Sequence, residues 1–226
     1  MHIEPGIVNG AKIILSYGMA AISLGMTAKF AVDAVKQRGL PSLAARSLLA
    51  TFLVFSFFQL LPHHPVGVSE VHLILGSTLF LILGLAPAAI GLAAGLLIQG
   101  LIFAPFDLPQ YGINVTTLLV PLFAMSLLAK RIIPQAVAYK EIGYAQALKL
   151  STAYQGGIVA WVAFWAFYGQ GFGSESLAQV LSFGAAYLSV IVLEPLVDLA
   201  LLAGAKTLHG LKESPLVDQR LYNAAS

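Results

Sequence analysis

The chain contains no cysteine, and only 10% of its 226 residues are charged. Without cysteine there can be no disulfide, thiolate metal site or cysteine nucleophile, so any metal ligand must be nitrogen or oxygen. The charged fraction is less than half the roughly 25% of an average soluble domain. That is too little to cover a globule of this size with a solvated surface. A net charge of +2 offers no footprint for nucleic acid. No Gly-x-x-x-x-Gly-Lys-Ser/Thr phosphate loop occurs, so the chain does not power ATP-driven work alone, and no His-Glu-x-x-His helix occurs. What the chain does have is apolar length: 58% hydrophobic residues and a mean hydropathy of +0.86. The composition is that of an integral membrane protein.

A bilayer core about 30 Å thick takes roughly 20 apolar residues per helix. Seven stretches qualify, at 7–35, 43–61, 71–86, 87–104, 113–129, 152–168 and 177–204, with six spans as the competing count. The third and fourth are short and are expected to meet at Pro87, at the first turn of a new helix. The predicted fold is therefore all-α: one polytopic helical bundle over 1–226, with 209–226 a polar cytoplasmic tail.

Charge placement sets the orientation. Lys29, Lys36, Arg38 and Arg46 lie at or between the facing ends of spans one and two, and Lys130, Arg131, Lys140 and Lys149 between five and six. Lys206, Lys212 and Arg220 follow span seven, so eleven of the twelve Lys and Arg fall on one side of a seven-span chain. The expectation is an outward N-terminus, a cytoplasmic C-terminus and a multi-pass protein of the cell's inner or plasma membrane. Four of the five histidines, His2, His63, His64 and His72, then collect on the outer side. Imidazole is the commonest nitrogen ligand for Ni, Co, Cu and Zn, although loop histidines are often merely solvated. A free amine at Met1, the His2 amide and the His2 ring offer three nitrogens from one short piece of chain. One further imidazole would complete a planar set suited to Ni(II) or Cu(II).

The opening Met1-His2-Ile3-Glu4-Pro5-Gly6 resembles the Met-His-Ile-x-x-Gly start of the CbiM/NikM family, the cobalt- and nickel-specific membrane subunits of energy-coupling factor transporters. Residues 67–76, Gly-Val-Ser-Glu-Val-His-Leu-Ile-Leu-Gly, resemble that family's Gly-x-Ser-x-His-Leu-x-x-Gly element. Gln99-Gly100-Leu101-Ile102-Phe103-Ala104 and Tyr111-Gly112-Ile113-Asn114 resemble a third region, although Ala104-Pro105-Phe106-Asp107 replaces the usual Asp-Gly-Gly. The resemblance implies a metal held by Met1, His2 and His72, with Ser69, Glu70 and Asn114 as candidate supporting residues and His63 and His64 as alternative ligands. It also implies Ni(II) or Co(II) as transported substrate, with no organic cofactor. A transmembrane coupling subunit and ATPase subunits would be the partners. The competing readings are a partner-independent metal permease or channel and an intramembrane metalloenzyme.

Other features carry weaker expectations. Gly18, Ala21, Gly25 and Ala28 form a small-residue seam for close helix approach, and Gly91 and Gly95 another. Glu194 and Asp198 lie four apart in the last span, either as a proton or cation relay or as a structural pair capping Lys130-Arg131 or Lys206. Trp161, Trp165 and Tyr168 read as interfacial anchors. Residues 132–150 read as a cytoplasmic interfacial helix or coupling loop.

Overall fold

The structure is a computed structural model that describes residues 2–61 and 63–224. Helix α1 (Ile13–Leu60) is two arms joined at Gly39, whose φ of 79° and ψ of 163° suit only glycine. Pro41 follows at the start of the second arm, where a missing N–H costs nothing. Next come strands β1 (His64–Val66) and β2 (Ser69–Val71), then α2 (Gly76–Leu83), α3 (Leu85–Ile102) and α4 (Tyr111–Ile132). They are followed by α5 (Tyr144–Gln170), α6 (Ser174–Thr207) and a terminal turn, α7 (Gln219–Tyr222). Among the described residues, four helical stretches are long and apolar enough to cross a membrane: Gly10–Leu60, Leu85–Ile102, Pro105–Ile132 and Ser174–Thr207.

Three expectations change. The break between the third and fourth stretches falls at Gly84 (φ 89°), not at Pro87, because Pro87 sits inside the first turn of α3. Helix α2 has 8 residues, about 12 Å at 1.5 Å per residue, and cannot cross a bilayer alone. Its N-terminal approach, 72–75, is non-helical chain that ends at Leu75 in the left-handed region, and such backbone is stable at membrane depth only when buried in protein. Residues 132–150 form no interfacial helix. They make the end of α4, a turn at Tyr139–Glu141 and the first turns of α5, tied together by Gln146, which accepts from Gly143 N–H and donates to the Ile132 carbonyl.

The core is helix-on-helix packing. Gly91 and Gly95 of α3 lie against Ala50 and Val54 of α1, where an added Cβ would come within 2.4 and 2.7 Å of those side chains. That seam is internal, as small residues allow. Gly18 and Gly25 meet nothing within 4 Å and leave their face of α1 open. Trp165 is fully buried core, not an interfacial anchor, whereas Trp161 donates to Thr116 Oγ1 at 3.2 Å.

The two ends of the bundle differ chemically. One gathers residues 2–12, the β-hairpin and the loop 104–110. The opposite end gathers the basic residues around a C-terminal segment that folds back over the helices. Arg38 donates to the Val217 and Ser214 carbonyls, and Arg220 to those of Gln135 and Pro134. Arg46, 2% exposed, pairs with Asp218 at 3.0 Å and donates to the Leu83 carbonyl.

Candidate metal centre

The hairpin is built by a two-residue turn at Gly67-Val68. Gly67 has φ 62°, and a Cβ there would sit 2.1 Å from the Gln179 carbonyl oxygen. This turn presents the free edge of β2 to the N-terminal segment. Ile3 pairs antiparallel with Ser69, Glu4 N–H donates to the Val68 carbonyl at 3.0 Å, and Glu70 N–H donates to the His2 carbonyl at 3.1 Å. The Ser69 hydroxyl donates to that same carbonyl at 2.9 Å, and Ile3 N–H donates to Asn114 Oδ1 at 2.9 Å. Ile3, 2% exposed, anchors the segment in the core. His2 is thereby fixed by its own carbonyl and by the backbone that follows it.

Docking brings His2, Glu70 and His72 together, with one ligand atom from each lying within 4.8 Å of the others. His2 Nδ1 is 3.0 Å from Glu70 Oε2 and 3.5 Å from Asp107 Oδ2. The same Glu70 oxygen is 3.6 Å from His72 Nε2, too long for a hydrogen bond. The two imidazoles meet edge to face at 5.7 Å between centroids. Phe58 walls both rings, and His63 stacks on His72 at 4.9 Å and 6°. His2 and His72 are 4% and 1% exposed, yet His2 Nε2 and both ring nitrogens of His72 have no hydrogen bond of ordinary geometry among the described residues, although Gln99 faces His2 and the Glu70 backbone faces His72. Buried polar atoms are nearly always satisfied, so such a set of orphans calls for an explanation, an ion being one.

The electrostatics favour the ligand form of these groups. Burial pushes His72 far below its ordinary value, and burial lowers His2 although the Glu70 carboxylate pulls the other way. Burial alone would raise Glu70, but the hydrogen bond and charge of His2 outweigh it and hold that carboxyl below the usual range. Asp107 goes up to about 6 through burial and the like charge of Glu70. Neutral imidazoles beside an ionised carboxylate are metal-ready donors, and mixed nitrogen and oxygen suits Ni, Co, Cu or Zn.

Of the residues singled out in the sequence, His2 and His72 share this pocket, and Met1 lies outside the described residues. Glu70, a candidate supporting residue, lies in the same cluster as the two imidazoles. Ser69 and Asn114 support the site, but by holding the backbone rather than orienting a ring. His63 covers His72, while His64 is exposed on β1. Asp107 and Phe58 complete the pocket unforeseen. Asp107 was visible as the one acid in the loop 105–112, whereas a phenylalanine inside a hydrophobic span gives no signal of its own. Glu194 and Asp198 lie apart from the pocket. Their partners are Ser77, Thr78, Ser151 and Gln155, so they cap neither Lys130-Arg131 nor Lys206, and Lys206 instead pairs with Glu141 at 3.0 Å.

Fold and pocket together define a helical membrane bundle with a histidine-rich cluster at one end. The chain belongs to the CbiM family, the cobalt uptake substrate-specific transmembrane region, whose model matches residues 2–208. It is thus a component of a metal transport system and not an enzyme, and a substrate-specific component implies partner subunits. No curated protein matches it. A solved structure described as a truncated transition metal transporter superposes with a TM-score of 0.70 at 16% identity, covering 92% of this chain and all (100%) of that one. A second, described as a transition metal transporter, gives 0.68 at 16% identity over 94% of this chain and 98% of its own. At that identity the likeness is one of fold.

Proposed function

We propose that this chain captures Ni(II) or Co(II) at the outer face of the cell membrane, for uptake powered by the ATPase and transmembrane coupling subunits of an energy-coupling factor transporter. The observation that carries the reading is the buried cluster of His2, Glu70 and His72, with three imidazole nitrogens that have no hydrogen bond of ordinary geometry among the described residues. His2 and His72 bind the ion as neutral imidazoles, joined by the amine of Met1 and the His2 amide. Glu70 balances charge beside them. Seven helical segments with the N-terminus outside place eleven of twelve basic residues in the cytoplasm and the histidine cluster outside. The N-terminal strand then acts as a cover: it docks on β2 when the ion is bound and frees it when the strand lifts. Because the ligands must lose protons, capture weakens toward acid pH.

The test is metal content and visible absorption of the purified full chain loaded with Ni(II) or Co(II), beside His2→Ala and His72→Ala. One ion per chain, lost in both variants, is the expected result. Binding that survives both substitutions overturns the reading.

A further inference from the structure

Glu194 and Asp198 of α6 are 0% and 1% exposed, and neither forms an ion pair with a Lys, Arg or His among the described residues. Two carboxylates buried without a counter-cation are costly, and the interior must compensate them. What surrounds them is oxygen-rich. Glu194 accepts from the Ser77 hydroxyl at 2.9 Å and the Ser77 N–H at 3.1 Å, and also from Gln155 Nε2. Asp198 accepts from the Ser77 hydroxyl at 2.8 Å and from Thr78 Oγ1. The Ser77 hydroxyl has one hydrogen and faces both acids, so it cannot donate to both at once.

A second observation points to a ligand. Gln155 turns its Nε2 to Glu194 but leaves its own Oε1 buried and unpartnered, and the hydroxyl of Tyr154 is likewise buried and unpartnered. Ser151, Tyr154 and Gln155 share one face of α5 by their three- and four-residue spacing. The ring of Tyr154 fills the space of a missing side chain at Gly76, where a Cβ would lie 2.3 Å from Cζ. The ring thereby packs against the residue just before Ser77, at the start of α2. Hydroxyls can turn their lone pairs inward, and hydroxyl, amide and carboxylate oxygens are the donors of hard cations. A charge of two on the ion would match the two carboxylates.

We propose that Glu194 and Asp198, with Ser77, Thr78 and Gln155, form a second, oxygen-only site for a divalent cation inside the bundle, separate from the histidine cluster. It lies at the start of α2, midway along the chain between His72 and the Gly84 turn at the basic end. An ion leaving the histidines for the cytoplasmic side would meet it there.

The test uses the full chain in detergent with His2→Ala and His72→Ala together, so that the nitrogen site is disabled. Mn(II), which prefers oxygen and is visible by EPR, is titrated against it. One bound Mn(II) per chain is expected, lost when Glu194→Gln and Asp198→Asn are added, with Tyr154→Phe weakening it roughly tenfold. No Mn(II) binding by the His2/His72 parent, or binding unchanged by the carboxylate substitutions, overturns the proposal. The parent arm requires no change in the buried acids, so misfolding of the acid variants cannot mask a failure. Ni(II) binding by the chain with intact histidines reports separately on the outer site.

Discussion

Glu70 Oε2 accepts a hydrogen bond from His2 Nδ1 at 3.0 Å, the shortest polar contact between the N-terminal segment's side chains and β2. The same oxygen is also the acid atom nearest His72 Nε2, at 3.6 Å. One carboxylate therefore sets the position of one imidazole and the field at the other. Glu70→Gln keeps an acceptor but loses the charge, and Glu70→Ala loses both. Supporting groups of this kind typically matter 10–100-fold in metal affinity. Calorimetric Ni(II) titration is expected to show Glu70→Ala weakened by roughly that range and Glu70→Gln by less, with stoichiometry unchanged. Equal affinity in all three proteins would remove Glu70 from the site.

The same geometry predicts how docking of the N-terminal strand responds to pH. His2 and His72 are both held below their ordinary value of 6.5 when folded, chiefly by burial. The undocked segment therefore binds more protons than the docked one once pH falls through about 6.5, and docking weakens as acid is added. Glu70, held low, adds a loss in the same direction below about 4.5. Asp107, raised to about 6, opposes them, because it takes up a proton more readily when folded. Two histidines against one acid leave a net loss of protection. Hydrogen exchange of the metal-free protein is expected to show lower protection factors at Ile3 and Glu4 at pH 5.5 than at pH 7.5. Protection that rises on acidification would mean Asp107 governs the segment.

Orientation has its own test, which the absence of cysteine makes simple. Ser174, the first residue of α6, and Lys212, beyond its end, are both exposed. With the N-terminus outside, Ser174→Cys reacts with a membrane-impermeant maleimide on intact cells, and Lys212→Cys reacts only after permeabilisation. The reverse pattern would place the histidine cluster in the cytoplasm. Labelling of both from outside would mean that α6 does not cross as proposed.

Much of this was legible in the sequence because hydropathy and charge are local properties. Each of the seven apolar stretches overlaps a helix, although the helices overrun their limits, and the choice of His72 as partner to His2 rested on the family resemblance. The rest depended on contacts far apart in sequence. Gly84 displaces Pro87 as the break because a residue at φ 89° must be glycine, whereas Pro87 is tolerated inside a first turn. Trp165 read as an interfacial anchor because aromatic rings suit both interface and core, and only packing separates the two. Ser77 and Thr78, which hold the buried acids, resemble any hydroxyls in an apolar helix until α2 and α6 meet.

The fold-back of the C-terminal segment yields the last prediction. Asp218 N–H donates to the Ile82 carbonyl at 2.7 Å, and its carboxylate pairs with buried Arg46 just where Gly84 turns the chain. A Cβ on Gly84 would stand 2.3 Å from Asp218 Oδ2 and 3.2 Å from an Arg46 nitrogen, and φ 89° is strained for any other residue. Gly84→Ala thus suffers twice, from backbone strain exceeding about 1 kcal/mol and from displacing the carboxylate. Asp218→Ala leaves Arg46 buried without its partner, a loss of about 3 kcal/mol, toward the low end for a broken buried pair because Asp218 is partly exposed. Since Asp218→Ala also removes the atom in the way, the double variant is expected to be less destabilised than the sum of the two. Thermal unfolding in detergent, followed by tryptophan fluorescence, measures all three. Strict additivity would show that Gly84 is needed for its backbone angle alone, and not to make room for the Arg46–Asp218 clamp.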